Sequence, residues 1–196
     1  MSELDSLYVR VRLSPQAYQR FLQSTTADAR DFQDWMDWLG KARMHGDKFT
    51  RQRLAEIGKA TPKRAVADAI AAWTGADCAL ARSEYDEATE TWRLGIAHFS
   101  ENYREYLEFL PLLRAIERFK DRPGVDFILV YDHFHRPNEY TVLLELTEAA
   151  SRIAGSPGLD MPLPTDYAAE ARAFLRSLAP AENEAGEGSQ RAATGA

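Results

Sequence analysis

The chain is poor in the residues that announce a chemistry. A single cysteine, Cys78, among 196 residues excludes an intramolecular disulfide framework and fits a reducing compartment. No apolar run approaches the ~20 residues that span a bilayer. The N-terminus, MSELDSLYVR, has neither the basic start nor the apolar stretch of a signal peptide, so a cytoplasmic chain without membrane association is expected. Glycine-rich phosphate loops are missing: Arg122-Pro123-Gly124-Val125 reads as a turn and matches no nucleotide fingerprint. There is no Gly-x-Ser-x-Gly. Cys78, in Gly75-Ala76-Asp77-Cys78-Ala79, has no neighbouring histidine, and its apolar flanks predict burial. The sequence therefore supports no enzyme assignment, no cofactor and no metal.

What is present is the material of a globular core. Four Trp, eight Tyr and nine Phe within 45% hydrophobic residues are too many for a disordered chain, and the length fits one domain. Leu7, Val9, Val11 and Leu13 alternate with Tyr8, Arg10 and Arg12 as in a half-buried strand. Ser14-Pro15 caps and starts a helix to about Gln23. Further helices are predicted from Ala27 to Leu39, from near Asp47, and from Thr61-Pro62 to Gly75. Strands at Ala79–Tyr85 and Thr91–Phe99 form a hairpin, and Ser100 caps a long helix to Lys120 that Pro111 should kink or break. Arg122-Pro123-Gly124 turns into a central strand, Val125–Phe134, with a hairpin partner at Tyr140–Leu146. After a loop at Gly155–Pro164, a last helix covers Thr165–Leu178. The expected fold is α+β: a largely antiparallel sheet from two β-hairpins flanking a long helix, with an N-terminal helical layer. The long helix is expected on one sheet face and part of that layer on the other. Residues 1–178 form the domain and 179–196 a disordered tail.

Charge is unevenly spread. Eight basic residues against Asp47 and Glu56 give Lys41–Arg64 a local charge of +6, leaving −12 elsewhere in a chain of net −6. Asp28, Asp31, Asp34 and Asp37 recur every three residues, an acidic band on one helix beside Trp38, which is expected to be partly exposed. Either the acidic and basic faces pair with each other, or the band offers Asp31, Asp34, Asp37 and Trp38 to a basic protein partner. A second polar group is Tyr131-Asp132-His133-Phe134-His135 with Glu139. Alternation puts Tyr131, His133 and His135 on one side, and His98 ends another strand, so three imidazoles converge if that end is shared.

Thr91-Trp92-Arg93-Leu94-Gly95, Phe109-Leu110-Pro111-Leu112-Leu113 and Phe119-Lys120-Asp121 resemble bacterial immunity proteins encoded beside polymorphic or type VI secreted toxins. The resemblance covers about 40 residues and lies in general character, that of a small, acidic, tryptophan-rich α+β chain. It implies a stoichiometric inhibitor that occludes the active site of a cognate toxin, with Asp31, Asp34, Asp37 and Trp38, or the rim of Asp132, His133, His135 and Glu139, as the contact. Two alternatives stay open: a small metal-dependent enzyme using His133 and His135, and a nucleic-acid-binding regulator. The latter rests on a faint helix-turn-helix pattern over Arg53–Val66, whose glycine spacing is irregular and whose host chain is acidic, so nucleic acid is disfavoured. Self-association is left open.

Overall fold

Strand β1 (Asp5–Arg12) organises the sheet because both of its faces are covered: Leu7, Val9 and Val11 point one way, Tyr8 the other, and all are fully buried. It pairs antiparallel on both sides, with β3 (Thr91–Ser100; Leu7 opposite Ile96) and with β4 (Asp126–Tyr131; Leu7 opposite Val130). β2 (Ala81–Asp86) extends the β3 side, and β5 (Val142–Leu146) and β6 (Ser151–Ala154) extend the other. The order is β2-β3-β1-β4-β5-β6, with every neighbour antiparallel. The computed structural model describes residues 4–41, 49–75, 80–135, 138–148, 150–154 and 164–178. Asp47, Cys78, the Arg136-Pro137 turn, most of the Gly155–Pro164 loop and the tail fall outside them. The two hairpins and the α+β class are as expected, and β6 is an addition.

The helices are α1 (Pro15–Gln23), α2 (Trp35–Lys41), α3 (Arg51–Ala60), α4 (Val66–Thr74), α5 (Tyr103–Arg114) and α6 (Thr165–Arg176). Their layering differs from expectation. The long helix α5 and the N-terminal helices share one face, where Leu107, Leu110 and Leu113 join Leu7, Val9, Trp92, Ile128 and Leu144 in a single core. The opposite face is covered by α6, whose Ala171, Phe174 and Leu175 pack on Tyr8, Phe127, Leu129 and Leu143. Gly95 makes that approach feasible, since a Cβ there would lie 2.7 Å from the Phe174 ring.

Three boundaries also move. The predicted Ala27–Leu39 helix is a 3-10 turn (Ala29–Asp31), opened by a reciprocal capping box between Asp28 and Asp31, and then α2; the interruption falls at Phe32, which is extended (φ −131°, ψ 128°). α4 starts at Val66 rather than Pro62, since the chain is first held extended: Thr26 N–H donates to Arg64 C=O and Val66 N–H to Ser24 C=O. Asn102, not Ser100, caps α5, accepting from Arg104 N–H at 2.9 Å. The helix runs through Pro111 and tightens only after Arg114 into a 3-10 turn, Ala115–Arg118.

The chain from α5 back into the sheet is fixed electrostatically. Lys120 Nζ lies 2.6 Å from Asp126 Oδ2, and both side chains are fully buried. Arg12 donates to Asp126 from its backbone N–H and its Nε, at 3.1 and 3.0 Å. Gly124, at φ +99°, allows the turn between them, and a side chain there would strike Arg12. Deleting one member of a buried pair leaves an uncompensated charge. Lys120→Met is therefore expected to destabilise by about 3 kcal/mol, the low end for such losses because Arg12 remains. Arg12→Met, removing the more exposed cation, should cost about 1 kcal/mol by urea unfolding. Equal costs would refute this ranking.

Candidate functional site

The aspartate band does not form one surface. Asp31 is spent on the capping box, its Oδ2 accepting from Asp28 N–H at 2.9 Å. Asp28 is buried and grips Arg30 and, at 2.8 Å, Lys63 from the basic segment. These cations, Arg30 foremost, hold its carboxyl well below the usual range. The acidic and basic segments thus meet at Asp28–Lys63. Asp34 accepts both arms of the buried Arg114 guanidinium, at 2.6 and 2.8 Å. Asp37 is exposed. Trp38, expected to be partly exposed, is only 3% accessible: its ring lies edge-on to Trp35 and against Tyr103, with centroids 5.9 and 5.5 Å away. Its burial corrects the expectation of an aromatic anchor beside free carboxylates.

Asp34 and Arg114 instead close the β6 edge of the sheet. Ile153 N–H donates to Asp34 Oδ2 at 3.3 Å, and Ser151 C=O accepts from Arg114 at 2.9 Å. Arg114 also stacks over Phe32 and Trp35, 4.3 and 5.4 Å from their centroids.

His98, His133 and His135 each stand beside Phe134. β3 is bulged: Asp5 faces Ser100 while Leu7 faces Ile96, so three residues, 97 to 99, stand opposite Ser6. Ser6 Oγ donates to Ala97 C=O at 2.6 Å across the irregularity. Ala97 enters the α6-side core and Phe99 the other, which leaves His98 exposed. β4 ends at Tyr131, and the following turn lays Phe134 on His98 with rings stacked at 5.1 Å and 15°. His133 meets Phe134 edge-on at 5.1 Å, and its Nδ1 is 2.8 Å from the Tyr131 hydroxyl. Asp132 Oδ1 accepts from His135 N–H at 2.9 Å, which shapes the turn. His133 is partly buried; that burial, and then Arg176 and Arg172 on α6, push its pKa down. Burial likewise raises the Tyr131 phenol. Glu139 is half-buried beyond the turn.

The result is a small exposed cluster whose centre, Phe134, is 51% accessible. Sequence reasoning placed Phe134 inside a strand and gave it no role. The available signal was a large aromatic between histidines close to a proline turn. Among the described residues, no three His, Cys, Asp or Glu side chains gather as a metal-binding group. A surface cleft of about 340 Å³ between α2 and α3, floored by Phe32, Met36 and Leu54, brings no acid–base pair together. Gly58 lies within α3, packed on Asp28, and is not the turn glycine of a helix-turn-helix. Among the described residues, no helix is long and apolar enough to cross a membrane.

Two substitutions separate structural from exposed groups. Asp34→Ala strands Arg114 and should cost about 3–5 kcal/mol in urea unfolding, while Asp37→Ala should stay within ~0.5 kcal/mol. His133 adds a pH dependence. Its folded pKa lies below its unfolded value of ~6.5, so above that pH it is neutral in both states and contributes no slope. As the pH falls further, the unfolded chain takes up a proton that the folded chain declines, and stability drops until the folded pKa is passed. Unfolding midpoints of His133→Gln across that window should be flatter than wild type, and parallel curves would contradict the assignment. Comparison with known proteins returns no matching family model, no matching curated protein and no matching solved structure.

Proposed function

We propose that the chain is a stoichiometric protein-binding inhibitor of the immunity type, neutralising a cognate secreted toxin, and that it engages its partner through the Phe134 turn. The observation that carries this reading is a half-exposed phenylalanine held between two imidazoles at the end of a fully buried strand. An aromatic displayed on a rigid support supplies contact area with little entropy left to lose, the usual character of a binding hot spot. His133 and His135 flank it, in the second of the two contact surfaces expected from the sequence; Asp132 of that set is buried and shapes the turn from behind, and Glu139 is half-buried beyond it. The first loses its support with Trp38 buried and Asp34 bound to Arg114.

The reading predicts a toxin-like open reading frame beside the gene, and it is tested by producing the chain together with that frame's product. The wild type should protect cells and form a one-to-one complex. Phe134→Asp should lose protection and weaken binding at least ~30-fold, as expected for a hot spot, with an unchanged unfolding midpoint. A neighbouring toxin left uninhibited would refute the function. Full protection by Phe134→Asp would refute the surface.

A further inference from the structure

The two edges of the sheet are finished differently. At the β6 edge, outward backbone groups are covered by side chains: Ile153 N–H by Asp34 and Ser151 C=O by Arg114. This blunts the edge against strand addition. At the other edge, Leu80 C=O accepts from Ala97 N–H, which sets the phase of the β2–β3 ladder. By antiparallel alternation, the N–H and C=O groups of Ala81, Ser83 and Tyr85 then point away from β3. None of these outward groups is bonded by another described residue, and no described strand lies beyond β2.

The charges on that edge complement themselves. Arg82 and Glu84 share one face of β2, lie 3.1 Å apart and are each 41% exposed. An antiparallel β2–β2′ pair centred on Ser83 sets Ser83 opposite Ser83 of the second copy as a hydrogen-bonded pair. It also sets Arg82 opposite Glu84, and Glu84 opposite Arg82, at the closer non-hydrogen-bonded positions. A two-fold interface requires such self-complementarity. Strands slid by two residues, which moves the two-fold axis by one, would bring like side chains together: Arg82 opposite Arg82, or Glu84 opposite Glu84.

We infer that β2 is a self-association edge, through which two copies join by antiparallel β2–β2′ pairing into a continuous twelve-stranded sheet, twice the six strands of one copy. This stands apart from the Phe134 turn, which lies at the β3–β4 end beyond the bulge and belongs to a different contact.

The test is a charge swap read by light scattering and sedimentation over a dilution series. Wild type should sediment as a dimer of the 22.1 kDa chain at high concentration and dissociate on dilution. Glu84→Arg sets arginine against arginine twice and should be monomeric throughout. Arg82→Glu/Glu84→Arg restores opposite charges and should recover the dimer. Circular dichroism and urea midpoints confirm that each variant is folded; if Glu84→Arg fails to fold, Arg82→Glu poses the same like-charge test. A monomeric wild type at every concentration overturns the inference. So does a dimer that survives the single reversal, or a folded double swap that stays monomeric.

Discussion

Lys120 and Asp126 form the contact on which the rest of the chain's geometry depends. Both side chains are fully buried, so neither charge can be relieved by water: Lys120 relies on Asp126, and Asp126 on Lys120 with Arg12 and Arg10 beside it. That requirement pins the end of the long helical segment to the start of β4. The same short stretch then secures its surroundings. Asp121 accepts from the backbone N–H and the hydroxyl of Ser14, at 2.8 and 2.5 Å, anchoring the residue that caps α1. Arg122 pairs with Glu90, the residue in left-handed conformation that closes the β2–β3 hairpin. β1, α1, α5 and both hairpins are thus tied together within three residues. Such a pair contributes less net stability than an apolar replacement of the same shape often does, so its value here lies in fixing one arrangement of the layers.

Much of the acidic band is taken up by pairing of this kind. An acidic band and a basic run look in one dimension like an exposed dipole. In three dimensions Asp28 takes Arg30 and Lys63, Asp34 takes Arg114, and Asp31 serves a backbone amide. Charge left at the surface includes Asp37 and much of the basic run, and also Arg82 and Glu84 on β2, which the one-dimensional pattern did not single out.

Legibility followed the range of the interactions. β1, β3, α1 and α6 were readable because alternation, a Ser-Pro cap and helical spacing are local signals, and the α+β class followed from the hairpins. The Ala27–Leu39 helix was misread because aspartates three apart satisfy a helical repeat and equally the reach of a capping box; the box opens a single 3-10 turn, which ends at the extended Phe32 before α2 begins. The layer assignment failed because hydrophobic alternation marks two buried faces without saying which helix covers each. β6 was missed since four residues, Ser-Arg-Ile-Ala, carry almost no periodic signal and owe their place to β5, Asp34 and Arg114. Trp38 was misplaced because its burial depends on Tyr103, far away in sequence. The histidine cluster was half legible: its members could be named, but bringing His98 to Phe134 needs β1 inserted between β3 and β4 and a bulge at Ala97.

That bulge also underlies the binding role proposed for this end of the sheet. A regular strand would continue its alternation and turn residue 98 toward the core that holds Trp92, Leu94 and Ile96. The extra residues let Phe99 occupy that core and free His98 to meet Phe134. The strand end behind them is clamped by Ser6 on Ala97 and by Tyr131 on His133. Phe134 is therefore exposed but supported on two sides, its ring ordered before any partner arrives. Contact energy gained there is not offset by the cost of ordering a loose loop, which is the condition under which a single aromatic can dominate an interface.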